Sequence, residues 1–328
     1  MGRLSPDGAA EPGPPPSGQA RRARRLFSRF SRRLPYVAYR TGSVVARAVP
    51  GSVAMRAAEL SGVVLPVVMK GRRAMLERHL SRAYGGVLAG PELRREVRRT
   101  FSSYARYWAE SFRLPGATPA ELAAGMTHEG LEHVERGVAE GNGVILALPH
   151  LGGWDFGGAW LASLGFRMVA VVETVEPPEL FRWFARLRRA LGLEVLALGP
   201  GAGTAALRRL RDGAVVALVC DRDIEGTGVE VDFFGERTTL PGGPATLALR
   251  SGAMLVPCAI YFGNGGSHHA VFHPPLDTTR RDRLRDDVER VTRALAVELE
   301  QFIRRAPDQW HLLQPNWPSD LTPAGRRE

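Results

Sequence analysis

Residues 144–155 read VILALPHLGGWD. The first five residues are all apolar, which is typical of a short buried strand, and Pro149 ends the run. A histidine follows, and two glycines supply the flexible backbone of a turn. Residues 154–163 then have a helical composition. Open α/β sheets bind their ligands at such a loop, beyond the carboxyl end of a parallel strand. This stretch therefore predicts both a fold class and a site.

Similar apolar runs recur along the chain and alternate with helical stretches. Further strands are predicted at 168–172, 195–198, 215–219, 229–234 and 255–262, and helices at 178–191, 204–211 and 281–305. Apolar strands that alternate with helices are typical of a sheet that is covered on both faces. We therefore predict an α/β fold with a mostly parallel central sheet covered by helices, together with an N-terminal helical layer on a membrane surface.

Composition divides the chain into four segments. Residues 1–33 are rich in proline and arginine and are predicted to be a disordered tail. Residues 34–115 show helical spacing of apolar residues and are predicted to be a membrane-associating helical region. Residues 116–320 are predicted to form the α/β catalytic region, and residues 321–328 a C-terminal tail.

The net charge of +10 predicts an anionic partner, which leaves nucleic acid, a membrane surface and a charged cofactor as candidates. Residues 1–33 hold eight arginines against two acidic residues. The stretch 36–69 is apolar but broken by charges, and no run reaches the ~20 apolar residues that span a bilayer. It is therefore predicted to lie on a membrane, the alternative being a helical hairpin packed on the core.

Cysteine and histidine usage argues against disulfide and metal sites. The two cysteines, Cys220 and Cys258, lie inside apolar runs, which favours a reducing compartment. His268, His269 and His273 have no cysteine or carboxylate at ligand spacing, so metal binding is not expected there.

The strongest chemical signal is the pair His150 and Asp155. Five residues along a helix leave two side chains ~140° apart, so they meet only if His150 lies in the loop and Asp155 in the first helical turn. The carboxylate would then hold one tautomer of the imidazole and leave the other nitrogen as a general base. With no serine or cysteine in a nucleophile pattern, the base would activate a hydroxyl or a water. The alternative is a loop histidine beside an aspartate that merely caps a helix.

This box resembles the His-x-x-x-x-Asp motif of the glycerolipid acyltransferase superfamily. Its surroundings resemble the branch that contains the lipid A lauroyl/myristoyl acyltransferases and the actinobacterial phosphatidylinositol mannoside acyltransferases. Three further segments agree with that branch in order: 221–236, 240–257 and 307–317. The last of these, PDQWHLLQPNW, points to the mannoside enzymes, and its Trp310 and Trp317 are predicted to be structural anchors.

The resemblance implies transfer of a fatty acyl chain from acyl-CoA to a sugar hydroxyl of a membrane glycolipid, a phosphatidylinositol mannoside. It implies that His150 is the base and that Asp155 orients it. Together with the basic and apolar N-terminal region, this function predicts a peripheral position on the cytoplasmic face of the cell membrane, with an anionic membrane surface as partner. No metal, no redox cofactor and no nucleic acid are expected.

The resemblance also implies a pocket for the polar head of the substrate. Its residues are Glu173, Arg188 and the acidic block Asp221, Arg222 and Asp223, in which either aspartate fits the family pattern. Gly153 departs from the asparagine that is frequent in the mannoside branch, and the long N-terminus is a second departure. Both departures leave the acceptor open.

Three other functions fit parts of the sequence. A lysophospholipid or lipid A type acyltransferase would use the same motifs on another acceptor. A nucleotide-dependent oxidoreductase is suggested by the glycine run at 199–203, although position 204 is threonine where the dinucleotide fingerprint needs glycine. A non-enzymatic binder of membrane surfaces or nucleic acid is suggested by the arginines of residues 1–33.

Overall fold

The computed structural model describes residues 18–321, with side chains described from residue 33. Four helices come first along the chain: α1 Gly18–Ala48, α2 Gly51–Val68, α3 Lys70–Ala83 and α4 Gly90–Arg113. Helix α1 begins well before residue 34, so the latter part of the tail predicted to be disordered is helical. The reason is local, because residues 19–34 contain neither glycine nor proline and are rich in arginine, which favours helix. Residues 1–17 and 322–328, both predicted to be tail, lie outside the described residues.

Helix α2 packs on α4 through a stripe of small residues. Ala54, Ala58, Gly62 and Pro66 recur every fourth position and are buried. A Cβ atom on Gly62 would collide with Ser102 of α4, so glycine is what permits the close approach of the two helices. The opposite side of α2 stays exposed. By length and composition α2 is apolar enough to cross a membrane, with a mean hydropathy of 1.3 over 18 residues, a possibility that the sequence analysis did not anticipate.

The described chain has nine strands, of which seven form the central sheet. The nine strands are β1 Met126–Glu129, β2 Val144–Leu148, β3 Met168–Val172, β4 Glu194–Ala197, β5 Val215–Val219, β6 Val229–Phe233, β7 Glu236–Leu240, β8 Met254–Phe262 and β9 His268–Phe272. The order across the central sheet is β1-β9-β8-β2-β5-β3-β4. Strands β8, β2, β5, β3 and β4 run parallel, whereas β9 pairs antiparallel with β8 and parallel with β1. The predicted mostly parallel α/β fold is confirmed.

Helices cover both faces of the sheet. They are α5 Pro119–Ala124, α6 Leu131–Ala139, α7 Trp154–Ser163, α8 Pro178–Ala190, α9 Ala202–Arg211, α10 Gly243–Ser251 and α11 Leu284–Arg305. Successive side chains of a strand point to opposite faces, so Ile145 joins the core beneath α10 and α11, and Leu146 the core beneath α6 and α7. The continuous apolar composition of β2 follows from burial on both faces.

The prediction for residues 229–234 was wrong in one respect. This segment was expected in the parallel sheet, but β6 pairs only with β7, as an antiparallel hairpin that turns at Phe234 and Gly235. Glu230 and Asp232 alternate with buried residues along β6. That alternation is typical of an antiparallel strand with one face in solvent.

Candidate active site

The imidazole of His150 is held by Asp221, not by Asp155. Leu148 pairs with Val219 in the parallel register of β2 and β5, so the residues two positions later also lie side by side. His150 Nδ1 lies 2.6 Å from Asp221 Oδ1, and the backbone N–H of His150 donates to Asp221 Oδ2 at 3.1 Å. The expectation that Asp155 orients His150 was therefore wrong.

The surroundings of this pair set its protonation. Asp221 is fully buried. Burial alone raises the pKa of its carboxyl, but His150 and the indole N–H of Trp310 outweigh that effect and hold the pKa below its ordinary value. A carboxylate that faces Nδ1 fixes the proton on that nitrogen, so Nε2 carries the lone pair of a base. The His150 side chain remains about one-third exposed and lines a cavity.

Asp155 belongs to a second, separate cluster. It lies in the first turn of α7, where its Oδ1 accepts from Arg188 Nε at 2.9 Å and its Oδ2 from the Tyr107 hydroxyl at 2.7 Å. Burial and then the Asp155 charge raise the pKa of Tyr107 well above its ordinary value, so the phenol keeps its proton. Burial lowers the pKa of Arg188, but Asp155 outweighs this and raises it overall. Because both carboxylate oxygens of Asp155 already accept hydrogen bonds from Arg188 and Tyr107, Asp155 does not bind the imidazole of His150.

The remaining predicted residues differ in whether their side chains face the cavity. Glu173 follows β3 and Arg222 follows β5, and these neighbouring strand ends place their side chains 3.8 Å apart at the cavity. Asp223 also lines the cavity, but it organises its own loop: Oδ1 accepts from the backbone N–H of Gly226 and Oδ2 from that of Gly228. Asp221 is too deeply buried to contact a ligand, contrary to its predicted place in a binding pocket.

One cavity of about 680 Å³ connects these polar groups to an apolar interior. Its polar part is lined by His150, Asp155, Glu173, Arg188, Arg222 and Asp223. Its apolar part is lined by residues of the sheet and of α7, among them Leu146, Met168, Ala170, Leu161, Val219 and Ile260. His150 thus stands in a space that can hold a polar group and an apolar chain together.

The loop between β2 and α7 depends on its glycines. Gly152 has φ +61°, and a Cβ there would collide with the carbonyl oxygen of Ile260. A Cβ on Gly153 would lie 2.7 Å from the ring of His268, which explains in this chain the departure from asparagine. The loop can therefore approach the strand β8 only without these side chains.

Three residues at the site were not predicted to act there. Tyr107 lies in the region 34–115, which was predicted to be helical from its apolar spacing, and its only distinguishing signal is a hydroxyl on an otherwise apolar ring. Trp310 was predicted to be a structural anchor, and it does pack in the core, but its indole N–H also donates to Asp221 at 2.8 Å. His311 lines the cavity, and burial together with the charge of His150 lowers its pKa to about 3, so it is neutral.

Comparisons with known proteins show which proteins this chain is similar to. The model of the family described as bacterial lipid A biosynthesis acyltransferase matches residues 27–319. The chain is 41% identical to phosphatidylinositol mannoside acyltransferase of Mycobacterium tuberculosis over 234 residues, which is 70% of this chain and 72% of that protein. It is 39% identical to the protein of that name from Mycolicibacterium smegmatis over 229 residues, 69% and 73% of the two chains. A lipid A biosynthesis acyltransferase of Haemophilus influenzae is 32% identical over 186 residues, 55% of each chain.

Proposed function

The chain belongs to the family of bacterial lipid A biosynthesis acyltransferases, and from this premise we propose that it transfers a fatty acyl chain from acyl-CoA to a sugar hydroxyl of a phosphatidylinositol mannoside. The observation that carries the proposal is the His150–Asp221 pair, which stands where the polar and apolar parts of one cavity meet. The names of the relatives at about 40% identity support the choice of acceptor. Family membership also removes the reason to consider a nucleotide-dependent oxidoreductase.

The transfer is direct in this proposal. His150 Nε2 takes the proton of the acceptor hydroxyl as its oxygen attacks the thioester carbonyl carbon. The new C–O bond forms, the C–S bond breaks, and the coenzyme A thiolate takes up the proton from the imidazolium. Asp221 supports the step because its carboxylate stabilises the transient positive charge of His150. The step requires no protein nucleophile, no metal and no redox cofactor.

The cavity supports this division of the substrates. A fatty acyl chain gains free energy when it leaves water for apolar walls, by about 0.8 kcal/mol for each buried CH₂. Glu173 and Arg222, which face the same cavity, are proposed to bind the polar head of the acceptor, as is Arg188. The guanidinium groups suit phosphates and the carboxylate suits sugar hydroxyls.

The helical layer is proposed to hold the protein on the cytoplasmic face of the cell membrane as a peripheral protein. Apolar side chains of α1 and α2 that are about half or more exposed support this: Leu34, Val37, Val44, Val45, Val53, Leu60, Val63, Val64, Val67 and Val68. Ten large apolar side chains exposed on two consecutive helices are typical of a surface that contacts a membrane or a protein. Lys70 and Arg72 follow directly at the start of α3, and Arg72 also lines the cavity. Their charges suit an anionic lipid surface.

An acceptor panel tests the proposed function. Purified full-length protein is incubated with palmitoyl-CoA and vesicles that contain phosphatidylinositol mannoside, a lysophospholipid or a lipid A precursor, and the products are identified by mass spectrometry. We expect acylated mannoside as the dominant product, with one thiol released for each ester formed. Faster acylation of the lysophospholipid or the lipid A precursor would favour that alternative. Thiol release at the background rate with every acceptor would contradict an acyltransferase and favour a non-enzymatic binder.

A further inference from the structure

Three N–H groups hold the carboxylate of Asp221. Oδ1 faces His150 Nδ1, and Oδ2 accepts from the backbone N–H of His150 and from the indole Nε1–H of Trp310 at 2.8 Å. Two of these three donors belong to His150 itself, so they move when His150 moves. Trp310 supplies the one side-chain donor to this carboxylate, within residues 33–321, that does not move with His150.

Trp310 is itself immobilised. Its side chain is fully buried, and its ring packs against Phe234 and His79 with centroids 5.6 and 5.5 Å away. Its backbone forms an antiparallel bridge with Leu151 of the loop between β2 and α7. The next residue, His311, donates its backbone N–H to the carbonyl oxygen of His150 at 2.7 Å. The indole N–H is thus fixed to the same segment that holds the loop.

We propose that Trp310 is a positioning residue for the acyl transfer: its indole N–H fixes the Asp221 carboxylate, which in turn fixes the imidazole of His150. The inference rests on the proposed function. Without the indole N–H, the carboxylate can turn with the imidazole, and Nε2 loses its fixed direction toward the acceptor hydroxyl. A general base displaced by a fraction of an ångström loses much of its advantage, because proton transfer requires hydrogen-bond geometry.

A pair of matched variants tests this role. Trp310→Phe retains an aromatic ring and removes the N–H. Trp317→Phe is the control, because Trp317 is equally buried, lies in the same C-terminal segment and donates its indole N–H to the backbone oxygen of Phe233, away from Asp221. We expect kcat to fall by about tenfold or more in Trp310→Phe, with little change in KM, and to stay near the wild-type value in Trp317→Phe. The midpoint temperature of thermal unfolding should fall by a similar amount in both variants.

The pH profile separates positioning from simple loss of structure. In Trp310→Phe the Asp221 carboxylate no longer shares its negative charge with the indole N–H and interacts more strongly with the imidazolium of His150, so we expect the acid limb of kcat/KM to move to higher pH. The titratable groups packed around this site are present in both variants, among them His79 of α3, whose ring lies near both Trp310 and Trp317. His311 has a pKa of about 3, burial raises the pKa of Cys220 far above neutrality, and the Arg188–Asp155 ion pair is the same in both variants.

The outcomes are distinct. A lower kcat with a raised acid limb in Trp310→Phe alone supports the inference. Equal losses in both variants, or an acid limb that stays in place or moves to lower pH, would overturn it while the wild type remains an active acyltransferase. If the wild type transfers no acyl chain to any acceptor, the proposed function is wrong. The wild-type control in the same assay distinguishes that outcome from a failure of the inference about Trp310.

Discussion

Two aspartates lie close to the loop between β2 and α7, and they have different hydrogen-bond partners. Asp221 faces His150, whereas Asp155 neutralises the buried Arg188 and accepts from Tyr107. A buried guanidinium without its carboxylate would be costly, by about 3–5 kcal/mol in comparable cases. The His-x-x-x-x-Asp motif of this chain therefore joins two clusters rather than forming one dyad.

Replacing His150 with alanine removes the proposed base. We expect His150→Ala to lower kcat by about 10²–10⁴-fold without loss of folding, because the side chain is partly exposed and fills no core position. His128→Ala, on the exposed edge strand β1, is the control for the same substitution. Ester formation followed by mass spectrometry gives the rate. A folded His150→Ala protein with more than a tenth of the wild-type rate would contradict the role of the base.

The Asp155 cluster predicts a loss of stability rather than of proton transfer. Asp155→Asn leaves Arg188 buried without a countercharge, so we expect the free energy of unfolding to fall by about 3 kcal/mol at pH 7. The acid limb of the pH–rate profile should stay in place, since Asp155 does not contact His150. Chemical denaturation and the pH profile are the two measurements. A wild-type stability, or a moved acid limb, would show that Asp155 acts on His150 after all.

The sequence motifs led to His150 and to several polar residues that line its cavity, but not to the hydrogen-bond partner of His150. Glu173, Arg188, Arg222 and Asp223 all line the cavity as the family resemblance implied. The partner of His150 depends on the neighbour relation of β2 and β5, which are separated by two other strands along the chain. No local spacing encodes that relation, so the six-residue His-x-x-x-x-Asp motif favoured Asp155.

Among the elements, α2 has two faces of different character. Its small residues pack on α4, and its larger apolar residues face outward. Exposed valine and leucine side chains do not stabilise the protein in water. Burial of each one in a lipid surface is favourable by about 1.5–3 kcal/mol of free energy. The distribution of side-chain size around the helix is thus the physical basis for proposing a membrane contact.

A charge on this outer face tests the contact. We expect Leu60→Glu to lower binding to anionic vesicles by tenfold or more, an estimate that follows from about 1.5–3 kcal/mol of lost burial. Val297→Glu is the control, because Val297 is 56% exposed on α11, in the α/β region. Vesicle sedimentation at physiological salt measures both. Equal binding by Leu60→Glu and the wild type would exclude α2 as the contact.

Elements with a continuous apolar pattern were predicted well, and short or half-exposed ones were not. The bounds of β2, β3, β5 and α7 agree with the predictions to the residue. Strand β1 and helix α6 were missed, because β1 buries only Met126 and α6 is nine residues long. Burial on both faces leaves a sequence signal, and an edge strand with one buried residue leaves almost none.

In the whole molecule, the C-terminal segment ties the helical layer to the sheet. Asp320 accepts from His79 Nε2 at 3.2 Å and from Arg82 Nη1 at 3.0 Å, both on α3. His79 Nδ1 also lies 2.9 Å from the carbonyl oxygen of Leu312, two residues after Trp310. The segment that contacts the His150–Asp221 pair is therefore itself held by helix α3.

The contacts of Asp320 with α3 predict how the free energy of unfolding depends on pH. Burial raises the pKa of Asp320, but the bonds from His79 and from backbone N–H groups outweigh it and hold the pKa well below its ordinary value. A depressed folded-state pKa gives stability that is complete above the unfolded value of about 3.9 and is lost as pH falls toward the folded value. We expect Asp320→Asn to cost about 3 kcal/mol at pH 7 and clearly less at pH 3. A difference in free energy of unfolding between the wild type and Asp320→Asn that stays the same from pH 7 to pH 3 would contradict this role of Asp320.

The transfer rate in two aspartate variants tests the central claim most directly, namely that His150 and Asp221 together are the general base of the reaction. Asp221→Asn and Asp155→Asn are compared with the wild type in single-turnover transfer at saturating palmitoyl-CoA and mannoside acceptor, on protein shown to be folded. We predict that Asp221→Asn slows transfer by on the order of 10³-fold or more, because the amide cannot stabilise the imidazolium or fix its tautomer, and that Asp155→Asn stays within about tenfold. The reverse order of the two rates would contradict the claim.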